Sequence, residues 1–388
     1  MSIKPPFRAD VVGSYLRPDY LHTARKDFAQ GNLSQQELTA IEDKAITELV
    51  QRQKEAGLSV ITDGEFRRSW WHLDFMWGLN GVEKKAIDSG YNFSAMKTRA
   101  ESVQLTGKIS GENHPFIEHF KFLNQFAEEG IVPRLTIPAP AQFLKELERE
   151  GNREQTQAVY PDVKELIKDI AAAYRTVIAE VYAAGCRNLQ FDDCTWGMLT
   201  DPKVQQSAAQ AEVAQHASCG CGHNHGVVAE NGLESLLNKL LEVNNLALEG
   251  APEDLVTATH VCRGNYRSTW AASGGYGPIA HVLFAKENID AFYLEFDTDR
   301  AGDFSPLAQV APGKKVVLGL VSSKVGELEN ADDVIARIKE ASRFVPLENL
   351  YLSTQCGFAS TEEGNNLTEE QQWAKIALVR EVAKRVWE

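Results

Sequence analysis

The chain has 388 residues and a formal net charge of −14 at pH 7, with 43% hydrophobic and 24% charged residues. This composition is typical of a globular protein with a large core, and the negative charge argues against electrostatic binding to nucleic acid or to an anionic membrane. No apolar run approaches membrane-spanning length and no basic, apolar leader opens the sequence, so we expect a cytoplasmic protein that acts on small molecules.

Eight short apolar runs, several rich in β-branched residues, predict strands. In chain order they cover residues 10–14, 59–65, 134–140, 188–193, 256–262, 291–297, 315–322 and 350–356. Five other segments place apolar residues at three- and four-residue spacing, which predicts helices at 38–56, 162–184, 232–249, 332–344 and 368–387. The last helix opens with Thr368 and Gln371 in the arrangement of a capping box.

The alternation of strands and helices predicts an α/β fold, a single (β/α)8 TIM barrel spanning residues 1–388. An open doubly wound sheet is disfavoured because no glycine-rich phosphate loop follows the first strand. Two insertions interrupt the repeat, at about 66–132 after strand 2 and about 200–231 after strand 4. A strand-like run at 103–110 suggests a hairpin over the barrel mouth.

Polar residues collect at the carboxyl ends of the predicted strands, where barrel enzymes build their sites. His260 and Cys262 are two residues apart on one strand, so their side chains point to the same side. Glu295 and Cys356 end the sixth and eighth strands, which a closed barrel brings near the fifth. One imidazole, two thiolates and one carboxylate suit a tetrahedral zinc ion, so we predict a Zn²⁺ site at these four residues.

The predicted zinc site is anionic, and this favours thiol chemistry. Such a site donates electron density to a sulfur bound at the metal, and the cation stabilises a thiolate over a thiol at neutral pH. Glu295 is the weakest of the four ligands, and we hypothesise that it yields its place when a substrate sulfur arrives. The sequence therefore predicts a zinc-dependent alkyl transfer to a thiol.

Several segments together resemble a known family. They are VVGSYLRP (11–18), TDGEFRR (62–68), LTIPAP (135–140), LQFDD (189–193), THVCRGNY (259–266), YLEFDTDRAGDF (293–304) and STQCGFAS (353–360). In this order, over nearly the whole chain, they resemble the C-terminal catalytic barrel of cobalamin-independent methionine synthase.

The resemblance implies transfer of a methyl group from 5-methyltetrahydrofolate to homocysteine, forming methionine. By motif position, His260, Cys262, Glu295 and Cys356 would be the zinc ligands. Ser14 would help to hold the homocysteine carboxylate, while Glu65 and Asp192 would bind its ammonium group; alone, either acid could instead be an ordinary solvated or strand-capping carboxylate.

The sequence departs from the family pattern in two ways. It has one barrel's worth of residues, whereas the full-length synthase has an additional N-terminal barrel that contributes to folate binding. The histidine that the family carries at the end of the seventh strand, for proton transfer to the leaving group, appears as Lys324 in VSSKVG (321–326). Lys324 or a water is therefore the candidate acid, and the methyl donor stays open.

Other features have alternative interpretations. Cys219, Cys221, His223 and His225 lie in CGCGHNHG (219–226) and suit a second metal site, a zinc-delivering loop or a lid with incidental ligands. The tryptophans at positions 70, 71 and 196 suit either stacking on a flat methyl donor or core packing, and the cysteines at 186 and 194 are expected to fill core space.

Two other functions compete with methionine synthesis. One is a corrinoid-linked or other zinc-dependent alkyl transfer with a different donor or thiol. The other is a zinc-handling protein without catalysis, for which the CGCGHNHG segment is the best argument. The sequence leaves the oligomeric state open.

Overall fold

The strands of the main sheet, β5 to β10 below, form where runs of residues are buried on both faces. The computed structural model describes residues 4–217 and 227–388. Within these residues the strands are β1 (Val60–Ile61), β2 (Asn80–Ala86), β3 (Glu101–Ser110), β4 (Val132–Pro133), β5 (Leu135–Pro138), β6 (Asn188–Asp192), β7 (Val256–Val261), β8 (Ala291–Glu295), β9 (Lys315–Val321) and β10 (Leu350–Thr354). The segment 219–226, with Cys219, Cys221, His223 and His225, lies outside the described residues.

Six strands form one parallel sheet in the order β10, β9, β8, β7, β6, β5. Short pairings connect its two ends. β1 pairs in parallel with β4, which leads directly into β5, while Ala9 bridges Leu352 of β10 and Ser14 bridges Gly64 after β1. The eight predicted strand positions therefore follow one another around a ring, as in the predicted (β/α)8 barrel.

The predicted strand at 10–14 forms single bridges instead of a regular strand. The Asp10 carboxylate accepts hydrogen bonds from the backbone N–H groups of Phe7 and Val11, at 2.9 and 2.7 Å. Gly13 has a φ of +145°, outside the range of an extended strand. Backbone N–H groups that could form strand-to-strand hydrogen bonds therefore donate to the Asp10 side chain instead.

Helices follow most strands and cover the outside of the barrel. They are α1 (Asp19–Ala29), α2 (Gln35–Glu55), α3 (Leu73–Trp77), α4 (Phe116–Asn124), α5 (Pro140–Leu147), α6 (Glu150–Val159), α7 (Val163–Ala183), α8 (Cys194–Met198), α9 (Pro202–Ala217), α10 (Val227–Ala247), α11 (Gly277–Lys286), α12 (Ala331–Ala341) and α13 (Glu369–Trp387). The five predicted helices correspond to α2, α7, α10, α12 and α13. The capping box formed by Thr368 and Gln371 is confirmed.

The insertion after the second strand position contains the predicted hairpin. β2 and β3 pair in antiparallel fashion, with α3 before them and α4 after them. The segment 200–231 contains α9 and the start of α10. Among the helices of the described residues, none has the length and apolar character needed to cross a membrane.

A buried ion pair fixes the barrel interior. Arg134, directly before β5, lies 2.9 Å from the Asp10 carboxylate, and the Tyr293 hydroxyl donates to the same carboxylate at 2.9 Å. The side chains of Arg134 and Asp10 are wholly inaccessible to solvent. This network connects the first, third and sixth strand positions beneath the barrel mouth.

Candidate active site

Three of the four predicted metal ligands lie together at the barrel mouth. His260 is in β7, Cys262 directly follows it, and Cys356 follows β10. One ligand atom from each lies within 4.8 Å of the other two, and the two sulfurs are 3.7 Å apart. All three residues are buried, and over residues 4–217 and 227–388 no other such group of His, Cys, Asp and Glu side chains occurs.

Glu295 lies at the end of β8, outside this close group. Its Oε2 accepts a hydrogen bond from the Arg263 backbone N–H at 3.2 Å and is 3.6 Å from the Arg300 guanidinium. Its Oε1 is buried and has no hydrogen-bond partner. Burial alone would raise the pKa of Glu295, but the charges of Lys324, Arg300 and Arg263 lower it below its ordinary value. Glu295 therefore carries a negative charge beside the three clustered residues.

The unpartnered atoms fit a metal ion. The Nδ1 of His260 lies 3.3 Å from the Tyr293 carbonyl oxygen, whereas its Nε2 is buried without a partner. A hydrogen bond from Nδ1–H to a carbonyl leaves the Nε2 lone pair free, as in metal-binding histidines. With the free Oε1 of Glu295 and two adjacent thiols, this donor set suits zinc.

The two thiols are protonated without a cation. The pKa of Cys262 is raised well above its ordinary value, first by a hydrogen bond with Cys194 and also by burial. The pKa of Cys356 is raised in the same way, first by its hydrogen bond with Cys262. Metal binding at these sulfurs would therefore release protons.

Cys194 lies beside the cluster, so the prediction that it fills core space is wrong. Asp192 pairs with His260 across β6 and β7, which brings Cys194, two residues further on, level with Cys262. Cys194 lies close enough to Cys262 to affect the pKa of its thiol, and both residues line one cavity at the barrel mouth. In the sequence, Cys194 follows Asp192 by two residues, just as Cys262 follows His260. This shared spacing could have indicated that Cys194 lies near the site. Cys186, in contrast, is fully buried in the core as predicted.

The predicted ammonium-binding acids are both buried and both line this cavity. Glu65 has a φ of +62°, a left-handed conformation that is costly for a side chain with a Cβ and is often found at functional sites. Its Oε1 accepts from Thr136 at 2.9 Å, and its Oε2 has no partner. Asp192 accepts a hydrogen bond from Gln190 at 2.8 Å.

The two acids are buried near each other, and the positive charge of an ammonium group would stabilise their charged forms. Burial raises the pKa of Glu65 to about 7; Arg68 opposes this shift and the Asp192 charge adds to it. Burial likewise raises the pKa of Asp192 to about 7. A cation between them would stabilise both charged forms, as the ammonium group of an amino acid would.

These pKa shifts predict a pH dependence of stability. Both folded-state pKa values lie above the unfolded ones, so the native state holds more protons between about pH 4 and pH 7. Without ligand, the free energy of unfolding should fall as the pH rises through this window. Between pH 5 and pH 8, we expect the wild type to lose on the order of 3 kcal/mol more of its free energy of unfolding than a Glu65→Gln, Asp192→Asn double variant does. Urea unfolding at the two pH values measures this difference. Identical pH profiles for the two proteins would contradict this explanation.

Ser14 is the last residue of the first strand position and contacts the loop after β10. Its Oγ accepts a hydrogen bond from the Ala359 backbone N–H at 3.2 Å, and the residue lines the cavity. A Cβ at Gly357 would come within 2.0 Å of this oxygen, so only glycine allows the loop to approach so closely. Ser14 therefore lies against the loop that directly follows Cys356.

Lys324 lies behind the cavity wall. Its Nζ donates to Asn265 Oδ1 at 2.9 Å and to the Gly264 carbonyl at 3.3 Å. Asn265 in turn donates to the Gly357 carbonyl at 2.8 Å. Gly264, Asn265 and Gly357 line the cavity, whereas Lys324 does not. Lys324 thus connects the loop after Cys262 with the loop after Cys356.

One cavity of about 480 Å³ contains the clustered cysteines, the paired acids and Ser14. Much of its wall is aromatic, formed by Trp70, Trp71, Tyr91, Phe93 and Tyr266. Trp196 is fully buried in the core and does not line the cavity, so the stacking alternative does not apply to it. The cavity therefore combines side chains suited to a metal ion, two acids suited to the ammonium group of an amino acid, and an aromatic wall.

Comparisons with known proteins show which family the chain resembles. Residues 7–92 match a family model described as the catalytic domain of cobalamin-independent synthase. The uncharacterized protein YxjH of Bacillus subtilis is 45% identical, over 99% of this chain and 96% of its own length.

Two solved structures share the fold. A putative vitamin-B12-independent methionine synthase from Listeria monocytogenes is 36% identical, with complete coverage of both chains and a TM-score of 0.72. A B12-independent methionine synthase from Shewanella sp. W3-18-1, in complex with selenomethionine, is 21% identical over 98% of this chain and 97% of its own, with a TM-score of 0.68. The predicted TIM barrel is confirmed, and the chain belongs to the cobalamin-independent methionine synthase family of methyltransferases.

Proposed function

We propose that the protein is a zinc-dependent methyltransferase that transfers a methyl group from 5-methyltetrahydrofolate, or a related donor, to homocysteine to form methionine. We also propose that residues 1–388 form one barrel domain with insertions at 66–132 and 200–231. The observation that carries the functional proposal is the presence of the His260, Cys262 and Cys356 group in one cavity with the paired acids Glu65 and Asp192. A non-catalytic zinc-handling protein would need no such acid pair.

His260, Cys262, Cys356 and Glu295 would hold the zinc ion. When bound, zinc would stabilise a substrate thiolate at neutral pH and so supply a sulfur nucleophile. The carboxylate of Glu295 is fixed by Arg263 and has a free oxygen. Its negative charge would keep the site anionic, which favours reaction at sulfur.

The chain's own residues would orient the amino acid. Glu65 and Asp192 would accept hydrogen bonds from the ammonium group, and Ser14 would contribute to holding the carboxylate. The ordering of these groups around one cavity would bring the side-chain sulfur of homocysteine toward Cys262 and Cys356. The aromatic wall would exclude water from the reacting sulfur and accommodate the methyl donor.

A donor panel tests this proposal. Zinc-loaded protein is incubated with homocysteine and either 5-methyltetrahydrofolate, methylcobalamin or S-methylated compounds, and methionine is measured by mass spectrometry. We expect methionine with the folate donor; formation only with methylcobalamin would support the corrinoid-linked alternative. Absence of methionine with every donor would contradict the proposed reaction.

Lys324 gives a separate prediction. Because it bridges the loops that follow Cys262 and Cys356, its replacement by Met should weaken zinc affinity by at least about tenfold. Competition with a chelator measures this affinity, and Lys375→Met is the control, since Lys375 is equally buried but pairs with Glu329. If Lys324→Met kept its zinc affinity and lost turnover, Lys324 would instead be the acid that the family resemblance implies.

A further inference from the structure

We propose that Arg17 is a positioning residue that fixes the backbone of Glu65 and ties it to the loop after Cys356. It would thereby set the distance between the ammonium-binding acids and the metal-binding sulfurs, and so select thiols by the length of their carbon chain. We call residues 357–361 the Cys356 loop. The inference rests on the proposed function in one respect, since Glu65 would bind the ammonium group of homocysteine.

The guanidinium of Arg17 is buried and donates to backbone carbonyls on two sides. Its Nη2 donates to the carbonyl oxygens of Glu65 at 2.6 Å and of Arg68 at 2.9 Å. Its Nη1 donates to the carbonyl oxygens of Ala359 at 3.4 Å and of Thr361 at 3.2 Å. Because an arginine presents its N–H donors in a rigid planar fork, this one side chain holds the two segments at a fixed separation.

The Glu65 backbone has a conformation that needs such support. The φ angles of Gly64 and Glu65 are +65° and +62°, and a left-handed conformation is costly for a residue with a Cβ. The Asp63 carboxylate accepts from the Glu65 backbone N–H at 2.9 Å, while Arg17 holds the carbonyl oxygen of the same residue. Both backbone polar groups of Glu65 are therefore fixed, and its side chain is held at the cavity, where Oε2 has no partner.

The segment that carries Arg17 contacts the Cys356 loop at a second point. The Ser14 carbonyl oxygen accepts from the Phe358 N–H at 2.9 Å, and the Ser14 Oγ accepts from the Ala359 N–H at 3.2 Å. Residues 14–17 therefore lie between the turn at Glu65 and the Cys356 loop. A movement of one relative to the other would break the hydrogen bonds of Arg17 on one side.

These contacts fix the distance that an acceptor thiol must span. Homocysteine has two methylene groups between its α-carbon and its sulfur, whereas cysteine has one and 2-amino-5-mercaptopentanoate has three. A thiol of the wrong length cannot place its ammonium group at Glu65 and its sulfur beside Cys262 at the same time. Arg17 does not line the cavity, so it would act through Glu65 and the Cys356 loop and not by touching the substrate.

The test measures the binding of these three thiols to zinc-loaded protein by calorimetry. We expect the wild type to bind homocysteine at least about tenfold more tightly than either of the other two. Arg17→Met removes the donors and keeps an unbranched side chain. It should weaken homocysteine binding about tenfold or more and bring the three affinities to within about threefold of one another, while zinc affinity stays unchanged.

A matched control and a double variant locate the effect. Arg67 lies in the same turn and its side chain is also largely buried, but it pairs with Glu42 and Asp43, so Arg67→Met should bind all three thiols as the wild type does. In a Glu65→Gln background, Arg17→Met should weaken homocysteine binding by less than about twofold further, because Arg17 acts through Glu65.

Three results would overturn the inference. Equal affinity of the wild type for the three thiols would do so even if Arg17→Met fails to fold. A folded Arg17→Met variant that keeps the preference for homocysteine would do so directly. Additive losses in the double variant, together with weaker zinc binding by Arg17→Met, would show that Arg17 only supports the fold.

The outcome separates this role of Arg17 from the proposed reaction. Thiol binding needs no methyl donor, so a preference for homocysteine that depends on Arg17, without methionine formation from any donor, would leave the positioning role standing and remove the proposed function. Methionine formation by Arg17→Met with the wild-type KM for homocysteine would do the reverse.

Discussion

Replacing Cys262 by Ser is expected to lower zinc affinity at least about a hundredfold and to reduce methionine formation below detection. A serine hydroxyl is a much poorer zinc ligand than a thiolate, and the Cys262 sulfur lies 3.7 Å from the Cys356 sulfur in the buried group. Structural zinc sites bind with roughly 10–16 kcal/mol over four ligands, so one lost thiolate removes several kcal/mol. Metal content after dialysis against a chelator measures the effect.

Two cysteine variants serve as controls for this prediction. Cys186→Ala removes a buried thiol outside the cavity and should keep its zinc. Cys221→Ser changes the CGCGHNHG segment and should also keep the metal at the barrel mouth. If Cys262→Ser retained full zinc while Cys221→Ser lost it, the metal would reside in that segment and the proposed centre would be wrong.

Replacing Glu65 by Gln is expected to raise the KM for homocysteine about a hundredfold while leaving zinc affinity unchanged. The variant keeps the size of the side chain but removes the charge that pairs with the ammonium group. A buried, charge-assisted hydrogen bond contributes roughly 1.5–3 kcal/mol, which corresponds to this factor. Asp192→Asn should act in the same direction, because both acids line the cavity and Asp192 raises the pKa of Glu65.

A substrate analogue makes this prediction specific. The compound 4-mercaptobutyrate is homocysteine without its amino group, so Glu65→Gln should not weaken its binding, whereas wild-type protein should prefer homocysteine. Glu287→Gln is the matched control, since Glu287 is a buried acid that pairs with Asn244 outside the cavity. An equal loss for both thiols in Glu65→Gln would show that Glu65 supports the fold and does not read the ammonium group.

The fold could be predicted from the sequence because its strands are short apolar runs with polar residues directly after them. β7 ends where His260 and Cys262 were expected to emerge, and β10 ends two residues before Cys356. The predicted strand at 10–14 was wrong in detail. Hydrogen bonds from a side chain to its own neighbourhood, as at Asp10, leave no signal in hydrophobic periodicity.

The site was predictable in its residue types but not in its distances. Glu295 lies outside the close group because Arg263 and Arg300 hold its carboxylate, and ion pairs across loops are not visible in a sequence. The hydrogen bonds of Lys324 to Asn265 and Gly264 also join separate loops, so the sequence could not reveal them. Cys194 looked like a core residue because its importance depends on the register between β6 and β7.

Methyl transfer is expected to depend on a zinc ion held at the barrel mouth. The most direct measurement is the rate of methionine formation by metal-free protein before and after reloading with one equivalent of zinc per chain. We expect the rate to vanish on metal removal, to return on reloading in wild type, and not to return in Cys262→Ser. A metal-free protein that forms methionine as fast as the reloaded protein would show that the reaction needs no zinc.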